Sequence, residues 1–304
     1  MSYSYSYNTK IELCKLPCER DCCAAAEAYG MLLFANTFSR REIRIITGNK
    51  SLGKRIIDVF MMAFKTSFDT MPDEEHIGKQ PYLISRPEKI SRIFEAYGFS
   101  KDNMLAHNVN LGMLEDDCCR TSFVRGAFLT GGAVTDPEKR YHLEIVTPHY
   151  NVSRQTFSLL LDMALTPKEA SRSGNYIIYF KQSSAIEDFL TLIGAPVHAM
   201  KLMSAKIEKD MINTVTRKIN CDNANLDKIV DAADAQIKAI KQIMAAGAFE
   251  KLTERLKETA RLRLDNPSLS ISELAAISVP AVTKSCMNHR MRKFVEIALT
   301  FDGL

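Results

Sequence analysis

The sequence predicts an α+β chain: a duplicated helix-and-strand domain over about residues 1–200, then an all-α domain that ends in a helix-turn-helix. Three observations carry this reading. Cys22-Cys23, Gly30 and Gly98 return as Cys118-Cys119, Gly126 and Gly194, all at an offset of about 96 residues. Each copy runs through the same order of apolar helix, strand, amphipathic helix, strand and helix. Beyond about Met203 the alternation of strands disappears and only helical spacing is left.

The first copy, about residues 10–100, opens with an apolar helix at Ala24–Ala35; the second, about 110–200, opens with Thr121–Thr130. Glu42–Thr47 and His142–Thr147 alternate polar and apolar side chains as half-buried strands do. Ser51–Phe64 and Ser153–Ala164 have the spacing of amphipathic helices. Tyr82–Tyr97 and Tyr176–Ile193 each supply a strand and a helix, and Gly98 and Gly194 then stand where a helix stops in a left-handed residue. Two such copies make a pseudo-twofold domain.

Bulk properties narrow the function. With 304 residues, 46% of them apolar, the chain can fill two packed domains and is not a disordered tether. A formal net charge of only +4 excludes a polybasic chain, so any nucleic-acid footprint must be local. No stretch approaches the roughly 18 apolar residues of a membrane span, and the Ser-Tyr-rich start lacks the apolar core of a signal peptide, so a cytoplasmic protein is expected. There the eight cysteines are reduced thiols. Cys14, Cys18, Cys22 and Cys23 lack the CxxC knuckle of zinc sites, and Pro17 interrupts them. They read as small buried side chains; no metal and no cofactor is expected.

The opening helices carry the next clue. Val124–Gly132 places Gly126 and Ala127 amid large residues and ends in Gly-Gly; Ala28–Asn36 has Gly30 in the same slot. Small residues let a second helix approach closely, so the two should pack together at the pseudo-twofold axis. These nonapeptides resemble the LAGLIDADG motif of homing endonucleases, fairly in the second copy and loosely in the first. The resemblance implies a duplicated LAGLIDADG homing-endonuclease-like domain, with sheets forming a saddle over DNA and a metal-binding acid at the eighth motif position. Here those positions are Ala35 and Gly131, which cannot ligate a metal. Asp136 and Glu138 follow, but Thr135-Asp136-Pro137-Glu138 reads as a turn, and no acid stands between Asn36 and Arg41. No catalytic residue is expected, and the chain is read as not an enzyme. Arg40, Arg41, Arg44, Lys50, Lys54 and Arg55 cluster in the first copy, either facing phosphate from a retained saddle or forming an ordinary solvated face.

In the C-terminal third, Ser204–Ile219 and Leu226–Ala246 read as two helices parted by the turn-forming run Asn220–Asn225, a helical linker over about 201–248. Residues 249–304 form the helix-turn-helix domain. A helix from Phe249 to Leu264 stops at Asp265-Asn266-Pro267, and Ser270-Ile271-Ser272-Glu273 is a capping box that opens a short helix to Ile277. A tight turn of about three or four residues at Ser278–Ala281 leads into a second helix, Thr283–Leu299, with Met287, Met291, Phe294, Ile297 and Ala298 at core spacing. The remaining positions of that helix, Lys284, Ser285, Asn288, His289, Arg290, Arg292 and Lys293, together with Ser270, are the candidate DNA-binding residues. Asn288 and Arg290 are expected to read bases; Lys284, Arg292 and Lys293 are expected to hold phosphates.

Over nearly its whole length the chain is similar to the WhiA family of bacterial regulators. The carriers are Arg125–Gly132, Tyr141–Ile145, Ser171–Gly174, Asn220–Leu226 and Lys284–Lys293. The first repeat departs most, with Asn36 where the family usually shows glycine. The resemblance implies a non-enzymatic, sequence-specific binder of double-stranded DNA, with a terminal module like the promoter-binding region of sigma factors. It further implies transcriptional regulation in cell division, chromosome segregation and, in spore formers, sporulation, with nucleoid association and a partner transcription factor. The alternative is an interaction scaffold whose nuclease-like domain binds a protein; an active LAGLIDADG endonuclease is the weaker one.

Overall fold

The computed structural model describes residues 3–73, 78–99 and 107–301, which divide into two compact units between Lys209 and Asp210. In the first unit, the first copy comprises α1 (Tyr5–Cys14), α2 (Asp21–Leu33), β1 (Thr37–Phe38), β2 (Ile43–Thr47), α3 (Lys50–Phe64), β3 (Gln80–Ile84) and α4 (Pro87–Ala96). The second comprises α5 (Asp117–Gly131), β4 (Gly132–Val134), β5 (Leu143–Thr147), α6 (Tyr150–Asp162), β6 (Lys168–Arg172), β7 (Asn175–Phe180) and α7 (Ser183–Ile193). A 50-residue helix, α8 (Pro196–Ala245), crosses the boundary between the units.

Each copy builds one antiparallel sheet, in the order β1-β2-β3 and β4-β5-β7-β6. The inward faces pair Ile43 with Ile84, Ile45 with Tyr82, Leu143 with Phe180 and Ile145 with Ile178, all buried. That is the apolar half of the alternation in the sequence. Gly98 and Gly194 both adopt positive φ (73° and 96°) past the ends of α4 and α7, as helix stops require. β6 has no counterpart in the sequence reading: Lys168–Arg172 is exposed throughout and shows no apolar alternation. It is held by its ladder to β7 through the Ser173-Gly174 turn, both residues at positive φ.

The two copies meet along α2 and α5. A Cβ on Gly30 would collide with the carbonyl oxygen of Phe123 and lie 2.8 Å from the amide nitrogen of Ala127. A Cβ on Gly126 would collide with the carbonyl oxygen of Glu27 and lie 2.9 Å from its carbonyl carbon. Each glycine thus faces the residue three before the other, the signature of a pseudo-twofold axis between the helices. One ionic cluster breaks the symmetry. Glu27, fully buried, accepts from Arg55 Nε and Nη2, both at 2.8 Å, and lies 3.4 Å from Arg125 Nη1. Arg55 also donates to the Leu16 carbonyl, and Arg125 Nε donates to the Ile193 carbonyl at 2.7 Å. Arg55 is therefore a core residue, which removes it from the phosphate-facing cluster considered from sequence.

Two further expectations are corrected. Asn220–Asn225 is not a turn but part of α8. Asn and Asp cost helices only about 0.7 kcal/mol each relative to alanine, and no glycine or proline lies between Pro196 and Gly247 to break the ladder. The start of α8 is anchored by α1: Glu12 accepts from the backbone amides of Val197 (2.8 Å) and His198 (3.1 Å) and from the His198 ring. The thiols are also not generally buried; of the eight, only Cys119 is, while Cys22 and Cys221 are exposed. Among the described residues no helix is long and apolar enough to cross a membrane.

Gly126→Ala should destabilise the first unit by about 3 kcal/mol, because backbone rather than a flexible side chain must give way. A thermal melt should show the transition falling by roughly 2–4 °C per kcal/mol. His107 and His149 generate a second expectation. Their rings are 4.2 Å apart, and burial, then the His107 neighbour, brings His149 down to about 4, with His107 also lowered by burial. An unfolded chain takes up these protons near pH 6.5, before the folded one does, so stability should fall as pH drops from about 6.5 towards 4. Urea midpoints measured across that range should show the loss, and His149→Gln should flatten it.

Candidate nucleic-acid interface

The second unit contains the C-terminal part of α8, a 3₁₀ turn at Phe249–Lys251, α9 (Glu254–Asp265), α10 (Ile271–Ile277) and α11 (Lys284–Leu299). The helix expected from Phe249 is thus two pieces, because Leu252 and Thr253 are extended and Thr253 becomes the N-cap of α9. Leu274, Ala275, Met287, Met291, Phe294 and Ala298 join Ile240, Ile243 and Ala260 in one apolar core. Ile297 packs against its edge. Arg263 is almost wholly buried and donates to the Leu269 carbonyl at 2.6 Å, tying α9 to the residue before the α10 cap.

The capping box forms as the sequence predicts. Ser270 Oγ accepts from the Glu273 amide (3.3 Å), and the Glu273 carboxylate accepts from the Ser270 amide (2.8 Å). That backbone hydrogen bond holds the Glu273 carboxyl below its ordinary value. Ser270 is therefore occupied as a cap, with its hydroxyl proton free to face an acceptor. The connection between the helices is six residues, Ser278 to Thr283, longer than the tight turn expected. Ser278 Oγ donates to the Ala275 and Pro280 carbonyls (2.9 and 3.2 Å), and the Val282 amide to the Ala275 carbonyl (3.1 Å), so the loop is pinned back onto α10. Val279 stands 89% exposed at its tip. Thr283, expected as the first residue of the second helix, is its N-cap instead, accepting from the Cys286 amide at 3.2 Å. Its signal was a Thr directly before the basic helix.

About 100° separates successive helical residues, so the buried Met287, Met291, Phe294 and Ala298 define one side of α11 and its opposite arc is fixed. That arc holds Ser285, His289, Arg292, Lys293 and Glu296, with Asn288 at its edge; Lys284 lies nearer the core side and is exposed in the first turn. All are exposed except Asn288, which is half-buried. Glu296 is the arc's one carboxylate and lies C-terminal to all the others. Arg290 is set apart: it lies on the flank towards α9, half-buried, and its Nη1 donates to Thr259 Oγ1 at 3.2 Å.

The LAGLIDADG-like unit offers a different surface. Ala35 is buried, and a Cβ at Gly131 would lie 2.7 Å from the Val146 carbonyl oxygen, so neither motif position opens on a cavity an acid could line. Asp136 sits in the expected turn, its carboxylate accepting from the Glu138 amide at 3.0 Å. On the outer sheet faces, Arg44 is paired with Glu42 (3.4 Å) and His142 with Glu144 (3.2 Å). Arg40 lies over the Phe94 ring. Arg41, Lys50 and Lys54 remain exposed. The outer sheet faces are mixed in charge, whereas exposed α11 sets Lys284, Arg292 and Lys293 against one carboxylate, Glu296.

Comparison with known proteins agrees with both units. The WhiA LAGLIDADG-like domain model matches residues 120–212, and the WhiA C-terminal HTH domain model matches residues 215–298. The chain is 35% identical over 308 residues to the probable cell division protein WhiA of Ruminiclostridium cellulolyticum, covering 97% of both chains. It is also 35% identical over 301 residues to that of Carboxydothermus hydrogenoformans, again covering 97% of both. Full-length WhiA from Thermatoga maritima superposes with a TM-score of 0.58 at 22% identity, covering 98% of this chain and 99% of that one. The isolated LAGLIDADG domain of a WhiA superposes with a TM-score of 0.50 at 20% identity, covering 64% of this chain and 94% of that one. With a degenerate LAGLIDADG-like unit, a capped helix-turn-helix and full-length relatives at this identity, the chain belongs to the WhiA family.

Proposed function

We propose that this chain is a non-enzymatic, sequence-specific binder of double-stranded DNA that acts as a regulator of cell division. The observation that carries the reading is the exposed side of α11: Lys284, Arg292 and Lys293 with Asn288 and His289 against a single carboxylate, Glu296, on a helix whose other side is locked into an apolar core. Such a helix can enter the major groove by its N-terminal half, with Asn288 bidentate to adenine and Lys284, Arg292 and Lys293 on phosphates. Ser270 and Ser285 supply short phosphate contacts beside it, and His289 a further donor. Arg290 reads a base only by releasing Thr259. The name carried by the full-length relatives supports cell division. Chromosome segregation, sporulation in spore formers, transcriptional regulation, nucleoid association and a partner transcription factor belong to the same proposal.

A second reading applies to the first unit. Its outer sheet faces pair Arg44 with Glu42, set Glu144 beside His142 and expose Ile46, which suits a protein surface better than a phosphate backbone. There the former nuclease scaffold serves as a platform for a partner protein.

The test is DNA binding by the full chain at several salt concentrations on sites mapped from the genome. Asn288→Ala should cost about 1–3 kcal/mol and relax preference at one base position. Lys293→Ala should weaken all sequences alike and lower the log–log salt slope by about one. Arg290→Ala tests its base-reading role, since only a shift in base preference would support it. DNA incubated with Mg²⁺ or Mn²⁺ should stay intact; cleavage would overturn the non-enzymatic reading.

A further inference from the structure

The two cysteine pairs that mark the repeat come together in space. Cys22 and Cys23 lie in the first turn of α2, and Cys118 and Cys119 in the first turn of α5. The Sγ atoms are 4.0 Å apart within the first pair and 3.9 Å within the second. Those of Cys22, Cys23 and Cys118 all lie within 4.8 Å of one another, and Cys119 Sγ, 3.9 Å from Cys118 Sγ, is the fourth sulfur beside them. We propose that Cys22, Cys23, Cys118 and Cys119 form a tetrathiolate site for one zinc ion that clips the N-terminal ends of α2 and α5 together.

Three arguments converge. The first is size. A tetrahedral ion with Zn–S bonds of about 2.3 Å sets its sulfurs about 3.8 Å apart, close to the spacings within the pairs. The second is charge. Zinc with four thiolates carries about −2, and the site stands at two helix N-termini, whose unpaired amides favour negative charge. Arg20, the N-cap residue of α2, adds a guanidinium nitrogen 4.0 Å from Cys118 Sγ. The third is ligand type. Four soft thiols from two elements make a closed, structural donor set. The Asp116 carboxylate, within 4.8 Å of the Cys118 and Cys119 sulfurs, is a spare oxygen ligand.

Binding would release four thiol protons to solvent as four Zn–S bonds form. A ligating thiol is deprotonated outright by the cation it binds. The spacing of Cys14, Cys18, Cys22 and Cys23 gives no zinc motif because the ligands come from corresponding positions of two repeats.

The test uses the full chain, purified without a polyhistidine tag or chelator and under reducing conditions. Elemental analysis should find about one zinc per chain, released as a mercurial titrates the thiols. Cys22→Ser and Cys118→Ser should each hold less than about a tenth of that, while Cys14→Ser and Cys221→Ser keep it. Should the serine variants fail to fold, wild-type protein stripped and titrated with Co²⁺ decides the matter. It should develop the visible bands and thiolate-to-cobalt charge transfer of a tetrahedral all-sulfur site at one equivalent. Protein that carries no zinc and takes up neither Zn²⁺ nor Co²⁺ would overturn the proposal. So would an iron–sulfide chromophore, or disulfides among the four cysteines in the reduced preparation.

Discussion

The close approach of α2 and α5 at Gly30 and Gly126 is the constraint on which the first unit depends. Each glycine lets a backbone carbonyl of the facing helix come where a methyl group would otherwise be, so α2 and α5 touch backbone to backbone. Everything else in the two copies is positioned from that line. The C-terminal ends of the helices lead directly into β1 and β4, which fixes where both sheets begin. The N-terminal ends bring the two cysteine pairs to one place. Close packing of this kind is all-or-none, because a methyl group cannot be absorbed by rotating a side chain when the obstacle is a carbonyl.

The same closeness explains how the scaffold can lack its acids and still fold. A homing-type site needs carboxylates at the bases of both helices, and like charges held there are costly without metal ions. Here Ala35 is packed into the core, and Gly131 lies so near Val146 that no side chain fits. The base of the interface has been filled with backbone and apolar contacts. The buried charge has moved midway along α2, to Glu27, where two guanidinium groups satisfy it. Such a cluster is weak evidence for stability, but removing one partner would leave an uncompensated buried charge, so its members must be kept together.

How much of this was legible depended on whether a feature is local in the chain. The glycine stops, the capping box and the core side of α11 all follow from neighbours within one or two turns, and the structure shows them at the expected residues. Apart from the pairing of α2 with α5, which the repeat itself announces, features that need a distant partner were not legible. Arg55 reads as a surface cation until Glu27 is placed against it. Arg290 reads as a groove-facing side chain until Thr259 is found 31 residues before it. The vicinal thiols read as bland until the repeat axis superposes them. β6 was missed for a related reason: an edge strand stabilised by its ladder alone needs no apolar pattern.

The misread run Asn220–Asn225 shows the opposite limit, where local chemistry was weighed too heavily. Its Asn and Asp residues favour turns because their side chains compete for backbone groups, yet each costs a helix only a fraction of a kcal/mol. A turn also requires something to end the helix on either side, and neither glycine nor proline is present to do so. Propagation then wins, because each further residue adds a hydrogen bond without a new nucleus. The cost is not erased, however. Every residue from Asp210 to Ala232 is exposed, so no packing offsets the poor propensity of this stretch. Its hydrogen bonds rest on helical cooperativity alone, in contrast to the start of α8, clasped by Glu12, and to its end, where Ile240 and Ile243 enter the helix-turn-helix core. A long helix assembled this way is firm at both ends and weakest in the middle.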